Sequence, residues 1–161
     1  MRRPNAFQRL IHRFLILRPV SAFLSKALHR ADSFLLRLTG GRHAFPELVG
    51  LPIAQVTMRG AKTGVLRTLP LVSVPDGERL ALIATNFGQK HNPGWYYNLK
   101  THPECKVSFY GKCGTFIARE AAAEEYRKYW QLALTYYMGY DVYQQRAVPR
   151  RIPVLVLEPK E

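Results

Sequence analysis

The sequence contains few cysteines and few acidic residues. Only 2 of its 161 residues are cysteine, so the chain is not a small domain held together by a disulfide network. Neither cysteine belongs to a cysteine and histidine pattern with zinc-site spacing, and a reducing cytosol is the simplest compartment for such a chain. The 11 acidic residues are outnumbered by 24 lysines and arginines, which leaves a formal net charge of +13. This charge predicts an anionic partner, such as a phosphate group, a nucleic acid or an anionic membrane.

A long uninterrupted apolar run is also missing. Charged residues interrupt the hydrophobic stretches near the start of the chain every few positions, so we expect neither a signal peptide nor a membrane-spanning helix there. Residues 1–43 instead form a basic segment with nine lysines or arginines and a single acid, Asp32. Apolar residues recur at helical spacing in this segment. Two predicted helices end at Pro19 and at the glycine pair of residues 40–41.

Two interpretations of the basic segment are open. Its helices could pack on the protein's own core, as amphipathic helices ordinarily do, or they could lie in the interface of an anionic membrane. The first helix favours the membrane, because its polar face is rich in arginine and it contains no acid. Its apolar stripe consists of Phe7, Leu10, Ile11, Phe14 and Leu15. We predict that residues 1–38 contact an anionic membrane surface, which would place a cytoplasmic protein at the inner face of the cell membrane.

From residue 50 onward the pattern changes to short β-rich runs separated by turns. The sequence predicts six strands, at residues 54–58, 66–74, 79–85, 105–110, 115–119 and 152–157. It predicts a short helix that Asn92 caps and that runs to Thr101, followed by helices at 121–138 and 140–147. Pro70 places the second strand at a sheet edge or a bulge. Because strands and helices do not alternate regularly, we predict an α+β fold with a small barrel of mostly antiparallel strands and flanking helices.

The loop between the first two strands is a candidate anion-binding site. Gly60 and Gly64 let backbone N–H groups approach an anion, and Lys62 and Arg67 can neutralise its charge. The loop is not a phosphate-binding P-loop, because Ala61 precedes the lysine and no helix follows. A basic hairpin turn without a ligand explains the same residues equally well.

Two aromatic segments could supply the walls of a pocket. Residues 84–99 run from a strand through a polar loop into a helix, whose N-terminus suits an anion and whose Trp95 offers a flat apolar surface. Tyr137, Tyr140 and Tyr143 step by three, which places them along one face of a helical segment. Phenols combine a flat ring with a proton donor, so they suit a planar carbonyl or nitro compound. Alternatively, Trp95 is a residue of the hydrophobic core, and the tyrosines lie at an interface with their rings buried and their hydroxyls in water.

Four motifs together resemble the deazaflavin-dependent nitroreductase family. They are residues 60–64 with the downstream Arg67 and Pro70, residues 92–99, the tyrosine cluster at 136–143 and residues 151–154. The resemblance implies a split β-barrel related to flavin reductases, which would occupy residues 44–161 after the N-terminal helices. It also implies an oxidoreductase that transfers a hydride from reduced coenzyme F420 to a quinone, a nitro compound or a similar conjugated acceptor.

The resemblance further assigns roles to individual residues. The catalytic candidates are Tyr137, Tyr140 and Thr85. The cofactor-binding candidates are Lys62, Thr63, Gly64, Arg67, Pro70, Ala84, Thr85, Asn86, Asn92 and Trp95. Lys62 and Arg67 would hold the cofactor's phosphate. The substrate-pocket candidates are Val72, Tyr137, Tyr140 and Tyr143, and no metal site is implied.

The sequence departs from the family pattern at three positions. Val72, Asn86 and Phe87 stand where the prodrug-activating member of the family has a tyrosine, a lysine and a glycine. The predicted cofactor loop is therefore less basic and bulkier than in that member.

Other functional classes share some of these features. An FMN-binding reductase would have the same fold and the same phosphate loop, and a non-catalytic lipid or tetrapyrrole carrier could also use this fold. Specific nucleic-acid binding is not expected, because the predicted strands are mostly apolar and do not interleave basic with exposed aromatic residues. Hydrolysis is not expected either, since no histidine and carboxylate pair or activated nucleophile is visible.

Overall fold

The computed structural model describes residues 50–160, so the predicted helices of residues 1–43 lie outside the described residues. The described chain contains six strands, three α-helices and one 3₁₀ turn. In chain order these are β1 (Ile53–Arg59), β2 (Leu66–Asp76), β3 (Arg79–Ile83), the turn Asn86–Gly88, α1 (Gly94–Thr101), β4 (Glu104–Phe109), β5 (Lys112–Glu120), α2 (Ala123–Tyr136), α3 (Gly139–Ala147) and β6 (Val154–Pro159). Between residues 50 and 160, no helix combines the length and the apolar character that crossing a membrane requires.

The six strands close into a barrel in the order β1-β2-β3-β6-β5-β4. Every neighbouring pair is antiparallel, which confirms the predicted α+β barrel. Side chains alternate along β1, so Ala54, Val56 and Met58 are fully buried while their neighbours are partly exposed. This period of two is what a strand with one face on a core requires.

The barrel carries two hydrophobic cores. The first fills the interior and includes Val56, Leu82 and Leu157. The second lies on the outside, where α2 and α3 cover the barrel, and includes Tyr129 and Ile152. Strands β3 and β6 contribute to both cores, so they are buried on both faces and read as continuous apolar runs.

The barrel wall is incomplete along the first half of β2. Residues 66–72 of this strand pair with β1, whereas only residues 73–76 pair with β3. Among the described strands, none pairs with residues 66–72 on the side toward β3. Pro70 lies in this half, as predicted for an edge, because proline has no N–H to donate to a second neighbour. The gap between β2 and β3 is where the cavity described below opens.

An ion-pair network fastens α2 to the barrel. Arg119 of β5 makes two hydrogen bonds to Glu125 of α2, at 2.6 and 2.8 Å, and two to Glu158 of β6, at 2.9 and 3.2 Å. Arg79 of β3 approaches Glu158 at 3.2 Å. Hydrogen bonding to Arg119 lowers the pKa of Glu125 to about 2. Four elements therefore meet at two carboxylates that stay ionised at neutral pH.

Several predicted boundaries are wrong for identifiable reasons. The third strand ends at Ile83 and not at residue 85, because the chain enters left-handed backbone at Asn86 and Phe87. Asn92 does not cap α1. That helix begins at Gly94 after Pro93, and the Asn92 side-chain oxygen instead accepts a hydrogen bond from Arg150 at 2.6 Å.

The hairpin and the second helix also differ from the prediction. Gly114 lies inside β5 opposite Val107, and the turn is at residues 110–111. The predicted helix at 121–138 is shorter, at 123–136, because Tyr137 has extended backbone that ends α2. Tyr137 therefore lies between two helices. The spacing had predicted that Tyr137, Tyr140 and Tyr143 share one helical face, and that prediction is wrong.

Candidate active site

A cavity of about 870 Å³ opens at the gap between β2 and β3. Four parts of the chain form its walls: the loop between β1 and β2, the free half of β2, the segment from Thr85 into α1, and the junction of α2 with α3. The cavity therefore brings together three segments that the sequence singled out separately. Their separation along the chain is large, so only the barrel's closure makes them neighbours.

The β1–β2 loop forms the cationic end of the cavity. The Gly60 N–H donates to the Val65 carbonyl at 2.9 Å, and the Gly64 N–H donates to the Gly60 carbonyl at 2.9 Å. A Cβ at Gly60 would lie 2.8 Å from Thr63 Oγ1 and 3.3 Å from the Val65 carbonyl, so the tight turn favours glycine there. The turn projects Lys62, Thr63 and Arg67 along the cavity wall.

The start of α1 lies beside this loop. The Ala61 N–H donates to Asn98 Oδ1 at 2.9 Å, which joins the loop to the helix. Gly94, the first helical residue, lines the cavity, and nothing lies within 4 Å of the place where its Cβ would be. Backbone N–H groups at a helix start favour an anion. Trp95 also lines the cavity, while packing against the barrel's interior core.

The segment after β3 forms the next wall through Thr85, Asn86 and Phe87. Asn86 and Phe87 have φ angles of 48° and 55°, and Gly88 follows with 78°. Left-handed backbone is rare for residues other than glycine. The Asn86 side chain donates to the His91 carbonyl at 3.1 Å. At Gly88, a Cβ would lie 2.7 Å from Arg146 Cβ, so the segment is pressed against α3.

Three tyrosines form the opposite wall. Tyr137, Tyr140 and Tyr143 are all buried and all line the cavity. The hydroxyls of Tyr137 and Tyr143 are 3.0 Å apart and share a hydrogen bond. Burial raises the pKa of each of these phenols, so all three are protonated at neutral pH. A Cβ at Gly139 would lie 2.3 Å from the Tyr137 ring, so this glycine makes room for the ring.

Most of the predicted site residues reach the cavity, and three do not. Gly64, Ala84 and Asn92 are absent from its lining. The Gly64 carbonyl accepts a hydrogen bond from Arg59 at 3.0 Å, while the Ala84 carbonyl and the Asn92 side chain both accept from Arg150. The other predicted residues that line it are Lys62, Thr63, Arg67, Pro70, Val72, Thr85, Asn86, Trp95, Tyr137, Tyr140 and Tyr143.

Sequence reasoning missed several residues around the cavity. Leu51, Ile83 and Tyr97 line it, but isolated leucine, isoleucine and tyrosine residues carry no functional signal in a sequence. Arg150 was also missed, although it makes four hydrogen bonds to the segment of residues 84–92. The resemblance includes residues 151–154, a motif that begins one position after Arg150.

The cavity suits a large cofactor that has a flat ring system and an anionic tail. Lys62, Arg67 and the start of α1 would receive a phosphate. The N–H groups of Gly60 and Gly64 are bonded within the turn, so these two donors do not face an anion as the sequence had predicted. Thr85 and Trp95 would flank a ring, and apolar side chains such as Leu71 and Val72 also line the cavity. The residues present therefore fit the deazaflavin coenzyme F420, whose ring system is planar and whose tail carries phosphate.

Comparison with known proteins gives the same assignment. The family model described as F420H(2)-dependent quinone reductase matches residues 24–159. The F420H(2)-dependent quinone reductase Rv1261c of Mycobacterium tuberculosis is 32% identical over 135 residues, which cover 81% of this chain and 89% of that protein.

Solved structures show the same fold. The F420-H2 dependent reductase FDR-A is 36% identical and superposes with a TM-score of 0.62 over 66% of this chain and 94% of that one. A protein described as a domain-swapped dimer is 31% identical, with a TM-score of 0.63 over 86% of this chain and 98% of that one. These findings confirm the split β-barrel and the predicted coenzyme. The chain belongs to the F420H(2)-dependent quinone reductase family and is an oxidoreductase whose cofactor is coenzyme F420.

Proposed function

We propose that this protein reduces a quinone held against the tyrosine wall, with F420 bound between the cationic loop and the segment after β3. The observation that supports this proposal is the single cavity that joins cationic, flat apolar and phenolic surfaces. A nitro compound or an enone has the same conjugated, polar-ended shape as a quinone, so we include both as further acceptors. Val72 and the three tyrosines would form the acceptor's side of the cavity.

The cationic end would position the cofactor. Lys62 and Arg67 would hold its phosphate through charge-assisted hydrogen bonds, and Thr63 and Asn86 would add polar contacts along the same wall. Pro70, Thr85 and Trp95 would flank the ring system. When bound in its reduced form, the deazaflavin supplies a hydride.

The tyrosine wall would supply the proton. Reduction of a quinone to a hydroquinone takes one hydride and one proton, so a donor close to the acceptor oxygen stabilises the negative charge that develops there and can supply that proton. The candidate donors are the phenols of Tyr137 and Tyr140 and the hydroxyl of Thr85. Burial raises the pKa of both phenols, which keeps each proton in place until the acceptor becomes basic. Tyr143 would hold the Tyr137 hydroxyl in position through their shared hydrogen bond.

The basic N-terminal segment would bring this site to its acceptor. We propose that the chain divides into a membrane-contacting segment of residues 1–43 and a cofactor-binding barrel of residues 44–161. The arginines and the apolar stripe in residues 1–38 would hold the protein reversibly at the inner face of the cell membrane. Lipid-soluble quinones are found there, so the segment would shorten the path to the cavity.

Titration of the purified full chain under anaerobic conditions tests the proposal. Oxidised F420 should bind and FMN should not, and F420H2 should be oxidised only when a short-chain quinone or, more slowly, a nitro compound is added. Tight FMN binding would instead indicate a flavin enzyme on the same fold. Binding of F420 without acceptor-dependent oxidation would indicate a carrier.

A further inference from the structure

We infer that Arg150 is a positioning residue, which holds the segment of residues 84–92 in the shape that the cofactor requires. This inference rests on the proposed placement of F420 against Thr85, Asn86 and Phe87. Arg150 does not line the cavity, so its effect on the cofactor would pass through the segment that it holds.

The guanidinium makes four hydrogen bonds to this segment. Nε donates to the Gln89 carbonyl at 2.9 Å, and Nη2 donates to the Thr85 carbonyl at 2.7 Å. Nη1 donates to the Ala84 carbonyl at 3.1 Å and to Asn92 Oδ1 at 2.6 Å. Four of the five N–H groups of an arginine are thus used on one stretch of chain. Among the described residues, no carboxylate forms an ion pair with Arg150, so its charge is directed at these carbonyl groups.

The positions of these four acceptors show which part of the backbone the Arg150 hydrogen bonds hold in place. Residues 86–88 have three consecutive left-handed φ angles, and two of them are not glycine. Such backbone persists only where surrounding contacts hold it. The acceptors of Arg150 lie on both sides of this stretch, at Ala84 and Thr85 before it and at Gln89 and Asn92 after it. The guanidinium therefore fixes the two ends between which the strained residues must fit.

Arg150 also relates this segment to the tyrosine wall. Its backbone N–H donates to the carbonyl of Ala147, the last residue of α3, at 2.9 Å. Gly88 is pressed against the same helix, since a Cβ there would lie 3.1 Å from the Tyr143 carbonyl. Lys90 adds a hydrogen bond to the Val148 carbonyl. Arg150 therefore holds both the backbone shape of residues 84–92 and the distance between this segment and the tyrosine wall.

Two variants of the full chain, Arg150→Ala and Arg150→Lys, test the inference. We expect Arg150→Ala to weaken F420 binding about tenfold, because apparent affinity falls in proportion to the fraction of molecules whose segment is correctly shaped. In the cofactor-free protein, hydrogen exchange should accelerate at the amides of Gly88 and Gln89, which are bonded within the segment, and should stay slow at Val56 and Leu82. Millimolar guanidinium should restore part of the affinity of Arg150→Ala, and Arg150→Lys should retain part of it.

Arg151→Ala is the matched control. Its guanidinium lies 4.5 Å from the centre of the Tyr126 ring and does not line the cavity, so F420 affinity and exchange at residues 88–89 should stay at wild-type values. Wild-type affinity in Arg150→Ala, or faster exchange throughout the barrel without rescue by guanidinium, would overturn the inference. If the wild-type chain does not bind F420, the proposed function fails, and the exchange measurement still decides whether Arg150 holds the segment.

Discussion

At the level of single residues, the phenol of Tyr137 gives the most direct test of the chemistry. Tyr137→Phe keeps the buried ring and removes the hydroxyl that is bonded to Tyr143. Loss of one donor to a developing oxyanion costs on the order of a hundredfold in rate, so kcat with a quinone should fall by that amount while F420 affinity is unchanged. Tyr140→Phe should show the same split if its phenol is the donor.

The control for these variants is Tyr110→Phe. Tyr110 is 70% exposed on the β4–β5 turn, outside the cavity, so steady-state turnover should equal that of the wild type. Wild-type turnover in both cavity variants would show that neither phenol is the donor.

The cationic loop is tested by the double variant Lys62→Ala with Arg67→Ala. Two charge-assisted hydrogen bonds at about 1.5 kcal/mol each would sum to about 3 kcal/mol, so F420 affinity should fall at least about a hundredfold. Lys62 lies in the loop and Arg67 on β2, and both side chains are exposed, so the melting temperature should hardly change. Fluorescence titration measures the affinity. The double variant Lys106→Ala with Lys112→Ala removes the same charge from outside the cavity, and equal losses in both would show that only net charge matters.

Phe87 combines a strained backbone with a place in the cavity wall. Its φ of 55° costs a residue with a side chain about 1–2 kcal/mol, and its ring packs edge-on against Tyr143 with centroids 6.1 Å apart. Phe87→Gly removes both the unfavourable backbone strain and the favourable contact with the Tyr143 ring, and their free energies are of similar size. The melting temperature should therefore shift little. The KM for bulky quinones should fall because the cavity widens.

Gly88→Ala provides the contrast at the neighbouring position. Its φ is 78° and its new Cβ would lie 2.7 Å from Arg146 Cβ, so this variant should be clearly destabilised. An unchanged KM for bulky quinones in Phe87→Gly would show that the Phe87 ring does not limit the acceptor.

These residues differ in how far a sequence can reveal them. Lys62, Arg67 and the tyrosines stand out by type and spacing before any fold is known. Arg150 does not, because three of its partners are backbone carbonyls about sixty positions earlier in the chain. A carbonyl group is present in every residue, so no pattern of side chains marks that contact.

At the level of elements, the strands were easier to predict than the ends of the helices. The predicted strand at residues 54–58 lies within β1 (Ile53–Arg59), and the predicted strand at 66–74 lies within β2 (Leu66–Asp76). Asn92 has the side chain of a good helix cap, yet its oxygen is used by Arg150. The break at Tyr137 was missed because periodicity does not show where one helix stops and another starts, although Gly139 offered a signal.

The basic N-terminal segment lies outside the described residues and is tested in the full chain. Replacing Arg2, Arg3, Arg9, Arg13 and Arg18 by glutamine keeps the apolar stripe and removes five charges. Each cation near an anionic surface contributes about 1 kcal/mol, so co-sedimentation with anionic vesicles should be strongly reduced in low salt. Wild-type binding should weaken without vanishing as salt rises, because only the electrostatic part is screened.

Neutral vesicles are the control for this experiment. The wild type should bind them weakly through the apolar stripe alone, and the variant should bind them equally. Equal binding of the wild type and the variant to anionic vesicles would place the membrane contact elsewhere or remove it.

At the level of the whole molecule, the network around Glu125 predicts sensitivity to acid. The folded-state pKa of Glu125 is lowered from 4.5 to about 2, so its contribution to stability is complete above pH 4.5 and is lost as the pH falls toward 2. Arg119 is 40% exposed, so solvent screening limits the contribution to about 1 kcal/mol. Urea unfolding should show that Glu125→Gln is less stable than the wild type at pH 6 and that the difference shrinks at pH 3.

A control for this experiment is Glu124→Gln, which changes a neighbouring exposed carboxylate for which no ion pair is found among residues 50–160. Its stability should follow that of the wild type at both pH values. A constant difference between Glu125→Gln and the wild type from pH 6 to pH 3 would show that the network does not titrate in this range.

The free half of β2 has a consequence for how this protein can diversify. The backbone of residues 66–72 pairs with β1, while the side chains of Pro70 and Val72 line the cavity. Substitutions at Val72 can therefore reshape the cavity wall without removing a hydrogen bond of the barrel. Pro70 in turn discourages a foreign strand from adding to the open edge. Evolution can thus alter the shape of the cavity at this edge while the scaffold is inherited intact.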